Sequence, residues 1–286
     1  MNALRGWLAG GLSISDGAWG TELQARGLEP GAAPDTWNLT HGDRVEAVAR
    51  AYVEAGSQVI LTNTFRANAV AMKGDLEAIN RAGVAISKRA AAGRALVFAS
   101  IGPTGKMLAA GQIGGEQVRA AFGAQAAALS SAGADALLVE TMSDIEEARL
   151  AVAAAKSTGL PVIVSFAFDS GKNKDRTMMG TTPEAVAAAM VEAGADAVGA
   201  NCGVGVEFAA AICRRLRAAC DLPIWIKPNA GLPKMEGTSV RYGTTAEFFA
   251  SHYAELRDAG ASFLGGCCGS TPDFIRALVI ARCASS

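Results

Sequence analysis

The phrase Ala-Gly-small recurs four times along the chain, each time just ahead of an apolar run. It stands in EAGSQVILTNT (Glu54 to Thr64), SAGADALLVET (Ser131 to Thr141), EAGADAVGANC (Glu192 to Cys202) and DAGASFLGGCC (Asp258 to Cys268). Each glycine follows a helix-period pattern, where a residue with positive φ ends the helix. Each run of four to six apolar residues has the length of a strand buried on both faces. Four similar runs lie between them: LSISDG (Leu12 to Gly17), LVFASIGP (Leu96 to Pro103), PVIVSFAF (Pro161 to Phe168) and PIWIKP (Pro223 to Pro228).

Helical patterns separate these eight runs. Asp43 to Ala55 places Val45, Val48, Ala49, Tyr52 and Val53 on one face. Ser143-Asp-Ile-Glu146 reads as a capping box, and Thr182-Pro183 and Thr271-Pro272 as an N-cap beside a first-turn proline. Eight βα units in 286 residues predict a closed α/β barrel, the (β/α)8 TIM fold, as a single domain over residues 1–286. An open doubly wound sheet is the alternative; no G-x-G-x-x-G follows the first run to support it.

Composition narrows the function. The net charge is -1 and the basic residues are scattered, so no nucleic-acid partner is expected. No run approaches the ~20 apolar residues of a spanning helix, and no signal-peptide pattern is evident, so a cytoplasmic protein without a membrane partner is expected. The six cysteines (Cys202, Cys213, Cys220, Cys267, Cys268 and Cys283) lack the dense spacing of a disulfide scaffold.

In this fold chemistry sits where strands end. Those positions carry Asp16-Gly17, Asn63-Thr64, Glu140-Thr141, Asn201-Cys202-Gly203 and Gly265-Gly266-Cys267-Cys268-Gly269. Strands six and eight lie two apart around a barrel, so three sulfurs converge if the chain leaves strand geometry at Cys267 and Cys268. Flanking glycines give that freedom. Three thiolates suit zinc and leave a fourth position open, as in catalytic sites. A cysteine at a strand end is also commonly a small buried hydrophobe. That is the reading for Cys213, Cys220 and Cys283.

The chain resembles the homocysteine S-methyltransferase family. The resemblance rests on DGAWGTELQARGL (Asp16 to Leu28), WNLT (Trp37 to Thr40), TNTF (Thr62 to Phe65), GPTG (Gly102 to Gly105), VET (Val139 to Thr141), GANCGVG (Gly199 to Gly205), KPNAGLP (Lys227 to Pro233) and GGCCGSTP (Gly265 to Pro272). These motifs span nearly the whole chain. The resemblance implies zinc on Cys202, Cys267 and Cys268, methylation of homocysteine thiolate to methionine, and Asp16 and Glu140 on the substrate ammonium. Backbone amides around Gly17 and Ala18 would hold the carboxylate, with Asn201 in the substrate site. WNLT, TNTF and KPNAGLP are most similar to the homocysteine module of cobalamin-dependent methionine synthase; no counterpart of that enzyme's folate, cobalamin and reactivation modules is expected within these residues.

The methyl donor is expected to be either a small sulfonium or ammonium compound or a methyl-corrinoid on a separate protein. Betaine-using members carry an aromatic after the strand-four glutamate and another after the strand-two Thr-Phe. Here Thr141 and Arg66-Ala67-Asn68 stand instead, leaving Trp19 and Trp37 as candidate aromatics. A non-catalytic zinc or redox-sensing barrel using the vicinal cysteines is the competing reading. A metal-dependent hydrolase is disfavoured by the two histidines.

Overall fold

The computed structural model describes residues 3–236 and 239–285. Eight parallel strands form the barrel: β1 (Ser13–Ile14), β2 (Val59–Leu61), β3 (Leu96–Ile101), β4 (Ala136–Met142), β5 (Val162–Phe166), β6 (Ala197–Gly205), β7 (Ile224–Asn229) and, after a two-stranded hairpin of β8 (Pro233–Glu236) and β9 (Ser239–Tyr242), β10 (Phe263–Leu264). Their order is β1-β10-β7-β6-β5-β4-β3-β2. A parallel bridge from Ser15 to Val59 and the bond from Gln58 N–H to the Ile14 carbonyl (2.7 Å) join β1 to β2. The eight expected strands are all present. The antiparallel hairpin before β10 was not anticipated.

The local signals act as read. Gly56, Gly133, Gly194 and Gly260 all have positive φ, from 80° to 100°. The helix Gly42–Glu54 buries the five expected residues. Thr182 caps Pro183–Glu192 by accepting from Ala185 N–H. Two caps differ: Asp144 rather than Ser143 caps Ile145–Lys156, its carboxylate accepting from Glu146 N–H, and Thr271 makes no side-chain cap bond. An aspartate one residue nearer the helix outcompetes the serine for the free amide.

Two separate apolar clusters hold the fold. The larger lies between strands and helices. The smaller fills the barrel interior with Val59, Leu61, Phe98, Ala136, Leu138, Ile163, Ala197, Trp225 and Phe263, and Leu4 packs against it. Side chains alternate along a strand, so the interior positions two residues onward are Ser100, Glu140, Ser165 and Lys227. The interior thus changes from apolar to polar toward the strand C-termini. Gly199, two residues after Ala197, has no side chain because Trp225 fills its space: a Cβ there would sit 1.9 Å from the Trp225 carbonyl oxygen.

This close approach is testable. Gly199→Ala should destabilise the protein by about 3 kcal/mol or more, since only backbone movement of β7 relieves the clash. Gly123→Ala, in helix Gly115–Ser131 with no atom within 4 Å of the added Cβ, should instead stabilise by roughly 0.5–1 kcal/mol. Denaturant unfolding of both variants checks the pair.

Candidate metal and substrate site

The sulfurs of Cys202, Cys267 and Cys268 lie within 4.8 Å of one another, and Cys202 Sγ is 3.9 Å from Cys268 Sγ. Two sulfurs tetrahedrally bound to one zinc at 2.3 Å would be about 3.8 Å apart. The donor set therefore fits one soft divalent ion. Cys213 and Cys220 instead turn their sulfurs toward the Ala259 and Leu216 carbonyls.

Convergence depends on backbone the sequence pattern does not announce. Cys202 has φ 59°, in the left-handed region, followed by Gly203 at 70°. The β6–β7 register shifts between Asn201 and Gly205. β10 ends at Leu264, so Cys267 and Cys268 follow in irregular chain. Here Gly265 and Gly266 provide room rather than unusual dihedrals: added Cβ atoms would fall 2.1 Å from Ser15 Oγ and 2.2 Å from Ser270 Oγ. Gly269 provides both, with φ 81° and the Tyr242 ring over the place a Cβ would take. Tyr242 ends β9; burial and then the neighbouring Cys268 sulfur raise its pKa. Hydrogen bonds from Cys267 and Cys268 lower the Cys202 pKa, with help from Gly203 N–H and the Asn229 side chain. The reciprocal bond to Cys202 raises that of Cys267, burial adding to it.

The sulfurs line a cavity of about 500 Å³ together with Gly17, Ala18, Trp19, Ser100, Glu140 and Lys227. Glu140 is buried and accepts from Ser100 Oγ at 2.5 Å. Burial raises its pKa, while Lys227 and the Ser100 bond pull it down. Trp19, Phe65 and Tyr242 give the cavity aromatic faces, joined by Asp35 and Arg66. Trp37 is not among the lining residues; it stacks on His41 and lies under Arg44.

Three residues expected at the substrate also have partners within the chain. Asp16 is fully buried: Oδ1 meets Lys227 Nζ at 2.5 Å, and Oδ2 accepts from Trp19 Nε1 and Leu61 N–H, both at 2.7 Å. Both of its oxygens are thus hydrogen-bonded within the chain. Ala18 N–H donates to the Ser270 carbonyl at 3.0 Å. Asn201 accepts from Thr141 N–H (2.8 Å) and Ser165 Oγ (2.6 Å) and donates to Thr141 Oγ1 (2.7 Å). It is a strut between strand ends, holding Thr141 at φ 62° beside Glu140. Gly17, Ala18 and Glu140 line the cavity. Lys227, Asn229 and Tyr242 were missed as site residues. An isolated lysine inside an apolar strand, IWIKP, was the available signal for the first.

A family model described as homocysteine S-methyltransferase matches residues 13–281. The chain belongs to the homocysteine S-methyltransferase family. Methionine synthases of Mycobacterium leprae and Mycobacterium tuberculosis are each 32% identical to it, over 96% and 94% of this chain but only 25% and 24% of their own length. The chain thus spans about a quarter of the curated relatives it matches. The metallated form of the Escherichia coli homocysteine methyltransferase MmuM superposes with TM-score 0.80 at 25% identity, covering 97% of this chain and 99% of that one. The family's barrel therefore extends across the cysteine cluster and the cavity. Among the described residues no helix is long and apolar enough to cross a membrane.

Asp35 gives this wall a pH signature. It is almost fully buried, accepts from Arg66 N–H at 2.9 Å, and burial pushes its carboxyl from 3.8 up to about 6. A carboxyl with a raised folded pKa costs stability as pH climbs from the unfolded to the folded value. Asp35→Asn keeps an acceptor for Arg66 N–H and removes that cost. Its stability relative to the parent protein should therefore rise between pH 4 and pH 7, by on the order of 1–3 kcal/mol. Urea unfolding at the two pH values measures it; a difference independent of pH would contradict it.

Proposed function

We propose that this barrel, one domain over the whole chain, binds Zn2+ through Cys202, Cys267 and Cys268 and methylates homocysteine to methionine. The observation carrying this reading is the three-sulfur cluster in the same cavity wall as Glu140 and Lys227. Cys202, Cys267 and Cys268 would hold the ion, which would supply a Lewis acid that stabilises a substrate thiol as thiolate near neutral pH, where a free thiol with pKa about 8.5 stays mostly protonated.

The chain's own residues do the rest. Glu140, fixed by Ser100, takes the substrate ammonium, and Gly17 contributes to the amino-acid end of the cavity. Asn229 and Gly203 act on the Cys202 sulfur and favour its thiolate, the kind of outer influence that tunes a metal ligand. The substrate proton leaves to solvent. A sulfur lone pair then forms the S–CH3 bond as the donor–methyl bond breaks, its electron pair staying with the donor. Trp19, Phe65 and Tyr242 offer faces suited to a small sulfonium or quaternary ammonium donor. A methyl-corrinoid on a separate protein would have to reach in from the cavity mouth. A redox-sensing barrel has no use for an amino-acid pocket.

Purified protein should carry about one zinc per chain. Cys202→Ala, Cys267→Ala and Cys268→Ala should each lose it, while Cys213→Ala and Cys283→Ala keep it; metal analysis decides. X-ray absorption should show three sulfurs and one lighter neighbour becoming four sulfurs when homocysteine is added, and an unchanged shell would refute direct thiol ligation. Glu140→Gln should retain zinc yet bind homocysteine tenfold or more weakly, the loss of a charge-assisted bond worth about 1.5–3 kcal/mol. A donor screen on zinc-loaded protein, read as methionine formed, separates sulfonium and ammonium donors from a methyl-corrinoid.

A further inference from the structure

Among the described residues two cations line the cysteine cavity, Lys227 and Arg66. Lys227 is taken by Asp16 at 2.5 Å. Arg66 is differently placed. Among the described residues its guanidinium makes no ion pair and no hydrogen bond; only its backbone is engaged, the N–H donating to Asp35 Oδ1 at 2.9 Å and the carbonyl accepting from Asn68 N–H at 2.8 Å. The residue is exposed, and an exposed arginine is ordinarily a solvated charge. This one has a fixed base beside an aromatic face. The Phe65 carbonyl accepts from Gly102 N–H at 2.8 Å, and the Phe65 ring fills the space that a Cβ on Gly102 would need, 2.6 Å away. Phe65 lines the cavity together with Trp19, whose indole Asp16 holds. Around the barrel β2, which precedes Phe65 and Arg66, lies four places from β6 in either direction, so their wall stands across the mouth from Cys202.

We propose that Arg66 determines which methyl donor the cavity accepts: its guanidinium takes a carboxylate on the donor, so the donor is a small zwitterion whose methylated sulfonium or ammonium centre rests on Phe65 and Trp19. The inference rests on the proposed homocysteine reading and concerns the donor, which that reading leaves open. Methyl transfer needs the leaving group on the far side of the methyl carbon from the attacking sulfur. An acceptor sulfur beside Cys202 thus has its donor toward the opposite wall. There the sulfur lone pair forms the new S–CH3 bond. The bond from methyl to the cationic centre breaks with its electron pair on the departing sulfide or amine, and the by-product leaves still bearing its carboxylate. Aromatic faces suit the cationic centre, and Asp35, buried in the same wall, has the complementary charge. The Arg66 guanidinium suits a carboxylate, which it can hold by two parallel charge-assisted bonds. The wall presents both signs, which a zwitterion matches and a simple cation does not.

Two zwitterions, dimethylsulfonioacetate and dimethylsulfoniopropanoate, test this, each against its own carboxamide, which matches it in size but lacks the negative charge. Calorimetric titration of zinc-loaded protein without acceptor reads binding alone; methionine formed with homocysteine present reads kcat/KM. The parent protein should favour at least one zwitterion over its carboxamide by about fivefold or more in both measurements. In Arg66→Met that preference should shrink to within about twofold, while zinc content is unchanged and homocysteine affinity stays within about threefold of the parent value. Arg66→Lys, which keeps the charge but loses the planar fork, should fall between them. Thermal unfolding confirms that the variants fold. A folded Arg66→Met protein that keeps the full preference overturns the inference. So does a parent protein that favours neither zwitterion, or one that forms methionine from methylcobalamin but from neither zwitterion; in both cases homocysteine still binds and the homocysteine reading stands. Failure of the parent to bind homocysteine overturns that reading, and this inference with it.

Discussion

The buried carboxylate of Asp16 is the point on which the barrel mouth turns. The β1 strand is only two residues long, and its direct ladder to β2 is a single bridge. Asp16 makes up the deficit by accepting the Leu61 amide of β2 while its other oxygen holds Lys227 of β7. One side chain therefore ties three strands together and fixes the indole of Trp19 at the cavity wall. Full burial makes this arrangement demanding, because removing any single partner leaves an uncompensated charge or donor.

Around that anchor the barrel interior has two chemical layers. The lower is apolar, with Phe98, Trp225 and Phe263 in ring contact. The upper is polar, and its members are tied pairwise: Ser100 to Glu140, Ser165 to Asn201, Lys227 to Asp16. Strand alternation produces both layers from the same positions, so a change of residue type two places along converts core into site. The larger shell between strands and helices bears most of the apolar burial, which leaves the upper interior free to be polar.

The cysteine cluster shows local strain supported from outside. Non-glycine residues with left-handed backbone cost about 1–3 kcal/mol each, and both Thr141 and Cys202 adopt it at the cavity rim. Asn201 bonds twice to Thr141 and precedes Cys202 directly, so one amide braces both departures from strand geometry. The hairpin of β8 and β9 then brings Tyr242 over Gly269 and against Cys268. The three-sulfur cluster is thereby shaped by four separate stretches of chain.

The sequence alone determined the architecture, because helix-ending glycines and short apolar runs are local signals and eight of them in order leave few alternatives. It also determined which cysteines meet: strand-end position separates Cys202, Cys267 and Cys268 from Cys213 within the helix Val206–Ala219 and Cys220 just past its end, and no spacing rule was needed beyond barrel order. The family motifs were legible for the same reason, as contiguous strings. Partner choice was decided only by the tertiary structure. Asp16 and Asn201 carry the residue types of ligand contacts, yet their bonds reach 45, 211 and 60 residues away, to Leu61, Lys227 and Thr141. A carboxylate or amide has a fixed number of lone pairs and N–H groups, and only the folded chain shows whether another part of the protein has already taken them.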